Sequence, residues 1–170
     1  MPSVHVCSLS RLPETVAATG ASHVLTLINV GTPMERPAAI RPECHGVVGV
    51  SDIVAPLDGH VLPADAHVRQ ILDFVAAWPR EQPLVIHCYA GISRSTAAAF
   101  IAACALKPER DEAEIAATLR RASPSATPNR LFVEIADRML GRNGRMVAAI
   151  AEIGRGAEAF EGEPFHLALA

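Results

Sequence analysis

The chain has 170 residues, half of them hydrophobic, with a formal net charge of -3. That length can bury a substantial core as one domain, residues 1–170. The mildly acidic balance and a single lysine, Lys107, exclude a polybasic surface for nucleic acid or anionic membrane. No apolar run is long enough to span a bilayer. No basic segment followed by an apolar run marks a signal peptide. Cys7, Cys44, Cys88 and Cys104 fit neither a zinc ribbon nor a short disulfide scaffold, so a reducing, cytoplasmic setting is expected.

In chain order, Val4–Cys7 reads as a first strand. Ser10 is placed to cap a short helix running to Thr19, with Pro13 and Glu14 in its early turns. His23–Asn29 is a second strand, continuously apolar and therefore central. A proline-broken loop over 31–42 precedes a third strand, Gly46–Val50. A long loop to Leu62 follows, and a helix from Pro63 to Trp78 carries an apolar stripe of Val68, Ile71, Leu72, Val75 and Trp78. Leu84–His87 is a fourth strand and Arg94–Leu106 a helix rich in small residues. Asp111 caps the next helix, with Glu114 at the reciprocal position. Thr127, followed by Pro128, caps another. A last helix spans about Arg145–Ile153, and the tail beyond residue 154 is expected to be loose. Strands that alternate with helices predict an α/β fold: a central, mostly parallel sheet of four to five strands, covered by helices on both faces.

One stretch organises the rest: Leu84-Val85-Ile86-His87-Cys88-Tyr89-Ala90-Gly91-Ile92-Ser93-Arg94-Ser95. A β-branched run ends at a cysteine, a short loop follows, and a helix starts. Such a junction aims backbone N–H groups and the helix dipole at one point, which suits a phosphate. The same field favours a thiolate at Cys88. A thiolate beside a phosphate cradle implies attack on phosphorus and a cysteinyl-phosphate. Arg94 can grip two phosphate oxygens and hold the charge of the transition state.

These residues resemble the Cys-x5-Arg family of protein tyrosine phosphatases. The form His-Cys-x-Ala-Gly-x-Ser-Arg-Ser, from His87 to Ser95, is most like the dual-specificity branch. The resemblance implies the same α/β fold and a phosphomonoester hydrolase acting on phosphorylated protein or a small phosphomonoester. It implies Cys88 as nucleophile, Arg94 as phosphate clamp and Ser95 as hydrogen-bond donor to the departing thiolate. Tyr89, Ala90, Gly91, Ile92 and Ser93 would line the substrate phosphate, and His87 would tune the cysteine. The family also uses an aspartic acid on a loop before the cysteine as general acid. Asp52, at the end of the third strand, is preferred for its better-held position; Asp58, before Gly59, is the alternative. Asn129 is expected to tie loops together. The chemistry needs no cofactor or metal. His45, His60 and His67 lie near the loops without the spacing of a ligand motif and are read as rim residues. Cys44 or Cys104 is a candidate resolving thiol for oxidised Cys88.

Other readings share the loop: a phosphoinositide, inositol-phosphate or RNA-triphosphate phosphatase, or a phosphate-binding pseudophosphatase. Highly charged substrates want extra cations in the loop, and Tyr89, Ala90 and Ile92 supply none.

Overall fold

The computed structural model describes residues 2–170. Its elements are β1 (Ser3–Cys7), α1 (Leu12–Thr19), β2 (His23–Ile28), β3 (His45–Gly49), α2 (Asp65–Ala77), β4 (Leu84–His87), α3 (Arg94–Leu106), α4 (Glu112–Ala122), α5 (Arg130–Met139), α6 (Arg145–Ile153) and β5 (Phe165–Ala168). One short 3-10 turn, Pro42–Cys44, leads into β3. The strands form one sheet in the order β3-β2-β4-β1-β5. The first four are mutually parallel, and β5 runs antiparallel along β1. This agrees with the mostly parallel sheet of four to five strands expected from the sequence.

Alternation along each strand divides the core into two layers. Val4, Val6, Leu25, Leu27, Leu84 and Ile86 point to the larger layer, under α2 to α6. Cys7, Val24 and Val85 point to the other face, where Leu12 and Val16 of α1 cover them with Ile40 and Cys44. A sheet buried on both faces explains why β2 and β4 read as continuous apolar runs. Helix α3 is buried from Arg94 through Cys104. Its run of alanines lets the sheet, α2, α4 and α5 approach it from all sides.

Several local expectations give way to commitments made elsewhere in the chain. Ser10 does not cap α1; its hydroxyl joins that of Ser8 on the Glu161 carboxylate, and Arg11 takes the capping position without a side-chain bond. Thr127 does not cap α5, because its hydroxyl bonds Ser125 O and receives Gly156 N. Asn129 caps α5 instead, accepting from Leu131 N at 3.0 Å and Phe132 N at 3.3 Å. Asp111 does cap α4. The largest difference is the tail. Residues after Gly154 are not loose: Ala157 N bonds Pro124 O, Gly162 N bonds Ala90 O, and β5 buries Phe165 and Leu167 against β1. The alternation Phe165, Leu167, Leu169 is the signal that marks this strand.

Away from the sheet ends, Glu112 of α4 binds Arg142 at 2.8 Å and Arg145 of α6 at 3.2 Å. Arg142 also reaches Cys104 O at 2.7 Å, joining α3 to both. Burial pushes the Glu112 carboxyl up, but the two arginines outweigh it and hold the pKa at about 2.

Candidate active site

The loop from Cys88 to Ser93 leaves the carboxyl end of β4, the middle strand of the sheet. Amides from three neighbouring segments hold its carbonyl groups. Leu9 N bonds Tyr89 O at 3.0 Å, Gly162 N bonds Ala90 O at 2.8 Å, Thr127 N bonds Ile92 O at 2.9 Å and Asn129 N bonds Ser93 O at 3.1 Å. With these carbonyls held from outside, one loop amide is seen to point at the sulfur. Gly91 N lies 3.3 Å from Cys88 Sγ. Gly91 sits at φ +72°, and a Cβ there would lie 2.8 Å from the Cys7 carbonyl carbon and the Ser8 nitrogen. No other residue fits this position without displacing the backbone of the β1–α1 junction.

Cys88 is 2% exposed. Its sulfur lies 3.1 Å from Ser95 Oγ, at the first turn of α3. Arg94 folds back over the loop and is 6% exposed. Its Nη1 donates to Asn29 Oδ1 at 2.6 Å and Val50 O at 3.0 Å, the ends of β2 and β3. Its Nε is buried and has no hydrogen-bond partner among the described residues. A buried charged donor without an acceptor is costly, so this atom calls for an anionic oxygen beside the loop.

Asp52 comes to the loop from beyond β3. Its Oδ1 accepts from Ser93 Oγ at 2.7 Å and from Asn129 Nδ2 at 2.9 Å. Asn129 Nδ2 also reaches Ile53 O at 3.2 Å, so it fixes the segment that carries Asp52. Both bonds to Asp52 fall on one carboxylate oxygen, and Oδ2 has no protein partner among the described residues. Asp58 is elsewhere: it stands on an exposed turn with Gly59 at φ +77°. Among the described residues, no hydrogen bond ties its side chain to the loop.

His87 is fully buried. Its Nδ1 lies 3.0 Å from Cys88 O and its Nε2 lies 2.7 Å from Thr26 Oγ1. Burial, opposed by the bond to Cys88 O and reinforced by His45 and Arg94, pushes its pKa down to about 4. His45 is not a rim residue; it is half-buried with Nε2 at 2.8 Å from Thr26 Oγ1. His67 accepts from Ala64 N at the start of α2, and His60 is exposed. No cluster of three potential metal ligands occurs among the described residues.

Neither proposed resolving thiol is near the site. Cys44 lies before β3, at the opposite end of the sheet. Cys104 is near the far end of α3, where burial pushes its thiol up to about 12. Cys7, at the end of β1, is the cysteine beside Cys88, and burial pushes its thiol up to about 11.

Two clefts flank the loop. One of about 940 Å³ lies between α5, α6 and the segment 154–160, with Asp52, Ile92 and Ser93 on its loop side. The other, about 270 Å³, includes Leu9, Ser10, Tyr89 and Ala90. Phe160 borders both and is 93% exposed, and Tyr89 is 61% exposed.

The family model for protein-tyrosine phosphatase matches residues 58–126, a stretch that holds the loop but neither Asp52 nor Asn129. Among solved structures, human DUSP28 is similar with a TM-score of 0.63 and 19% identity, covering 82% of this chain and 94% of that one. DUSP15 gives a TM-score of 0.62 and 15% identity, covering 89% and 92%. PTPMT1 in complex with PI(5)P gives 0.58 and 13%, covering 82% and 94%. No curated protein matches this chain in sequence. The chain therefore has the fold of these phosphatase structures, with a Cys-x5-Arg loop between β4 and α3.

Proposed function

We propose that the protein is a cysteine-dependent phosphomonoester hydrolase of the protein tyrosine or dual-specificity type, with residues 1–170 acting as one catalytic unit. The observation that carries this reading is the buried, unpartnered Nε of Arg94 on the same loop as the Cys88 sulfur. A phosphoryl oxygen would satisfy that donor, and backbone amides of the loop and the first turn of α3 would take the remaining oxygens. The Cys88 thiolate attacks phosphorus opposite the leaving oxygen. An S–P bond forms as the P–O bond breaks, and Asp52 gives its proton to the leaving oxygen. Oδ2 is the oxygen suited to carry that proton, because Oδ1 is already engaged. In the second step Asp52 takes a proton from water as the water attacks the cysteinyl-phosphate. Phosphate leaves, and the Ser95 hydroxyl donates to the freed thiolate. Arg94 holds the equatorial oxygens throughout.

Aryl phosphates suit this site better than phosphoinositides. Arg94 is the only cation the loop supplies, and the exposed rings of Tyr89 and Phe160 offer apolar contact to a phenyl leaving group. Thiolate chemistry also favours a reducing, cytoplasmic setting. Cys88→Ser is expected to abolish hydrolysis of p-nitrophenyl phosphate, and vanadate to inhibit the parent protein. Normal turnover by the serine variant would remove the mechanism.

A further inference from the structure

We infer that Thr26, oriented by His45, is a positioning residue for the Cys88 nucleophile, acting through His87 along a one-way hydrogen-bond chain; this rests on the reading of Cys88 as nucleophile above. Thr26 and His87 are direct partners across β2 and β4. His45 pairs with Val24, two residues before Thr26, so all three side chains share one face of the sheet.

The direction of each bond follows from what each atom can do. Cys88 O can only accept, so His87 Nδ1 carries a hydrogen. His87 is buried and neutral at ordinary pH, so it has one hydrogen and its Nε2 must accept. Thr26 therefore donates to it at 2.7 Å. With its only hydrogen committed, Thr26 Oγ1 accepts from His45 Nε2 at 2.8 Å. One arrangement satisfies every member, from a half-buried histidine on β3 to the peptide carbonyl of the nucleophile.

The consequence lies at Cys88. The fixed tautomer presents an N–H to the Cys88 carbonyl. That dipole sits next to the sulfur and holds the peptide from which the side chain projects. In the other tautomer a bare nitrogen would face that carbonyl and repel it. The charged and titratable neighbours do not replace this effect. Arg94 and His45 face His87, the neutral thiol of Cys7 faces Cys88, and Arg36 faces His45.

The test compares Thr26→Val with Thr26→Ser in the full chain. The readouts are the pH dependence of Cys88 alkylation by iodoacetamide, the pH profile of kcat/KM for p-nitrophenyl phosphate, and the melting temperature. Thr26→Val is expected to alkylate about three- to tenfold more slowly on the acid side of the profile, the scale of one lost hydrogen bond, with a matching shift in the acid limb of kcat/KM. Thr26→Ser is expected to match the parent, and His45→Ala to move the profile the same way by less. If Thr26→Val lowers only the melting temperature and leaves both profiles unchanged, Thr26 is a core hydrogen bond and the inference falls. If His45→Ala changes nothing, His45 leaves the assignment. If the parent hydrolyses no phosphomonoester while Thr26→Val still slows alkylation, the phosphatase reading fails and this inference stands.

Discussion

Asn29→Ala is the sharpest probe of the anion site, because Asn29 bonds the Arg94 guanidinium and makes no hydrogen bond to the sulfur among the described residues. Its Oδ1 receives the shortest bond that Arg94 makes, 2.6 Å from Nη1, while Val50 O receives the same nitrogen at 3.0 Å. A hydrogen bond to a charged group contributes about 1.5–3 kcal/mol. Val50 O remains in the variant, so the guanidinium stays in the site but loses the support that sets its tilt toward the loop. The lower half of that range applies, about 1.5–2 kcal/mol, which corresponds to about ten- to thirtyfold. Steady-state kinetics with p-nitrophenyl phosphate should show kcat/KM lowered by that factor. The inhibition constant of vanadate should rise by a similar factor, since vanadate uses the same donors. Alkylation of Cys88 should stay at the parent rate. If both kcat/KM and vanadate inhibition remain within about twofold of the parent, then Arg94 needs no support from behind, and the argument from its unpartnered Nε loses its basis.

Three further outcomes are expected. Asp52→Asn should lower turnover by about a hundredfold or more with alkyl phosphates, the scale of a lost general acid, and by less with p-nitrophenyl phosphate; the same pattern in Asp58→Asn would move the role to Asp58. Phe160→Ala should raise KM for a phosphotyrosine peptide about three- to tenfold, the scale of one aromatic contact, with vanadate inhibition unchanged; an unchanged KM would show that the ring does not meet the substrate. Glu112 has a lowered pKa in the folded chain, so its contribution is present above the ordinary carboxylate range and is lost as pH falls from about 4.5 toward 2. Denaturant unfolding of Glu112→Gln should show a loss of about 3 kcal/mol at neutral pH, because a buried Arg142 is left without its partner, and a weaker pH dependence in that acid window. An unchanged acid slope would mean the pair does not govern acid unfolding.

Much of the fold was legible because its signals are local. β2 and β4 are apolar runs bounded by glycine or proline, and Cys88 and Arg94 stand six positions apart around a glycine. The supports of the site were not legible, because they join residues distant in sequence. Asn29 reaches Arg94 only because β2 lies beside β4. Asp52 and Asn129 meet across 77 positions. Two signals were nonetheless present. Thr26 is a lone polar residue within a buried apolar strand, and such a group must find a partner. Residues 165–169 alternate apolar and polar side chains as an edge strand does. Ser10 and Thr127 are diverted from capping by a common cause: each hydroxyl is taken by the segment 156–161, which returns to the sheet edge from far along the chain.

The four amides that grip the loop from outside come from three separated parts of the chain, and one belongs to Gly162. A polypeptide still emerging from the ribosome, or one cleaved before that position, would carry the cysteine without the complete frame that shapes its surroundings. On the proposed reading of Cys88, the walls around the sulfur are complete only once residues as far along the chain as Gly162 have docked.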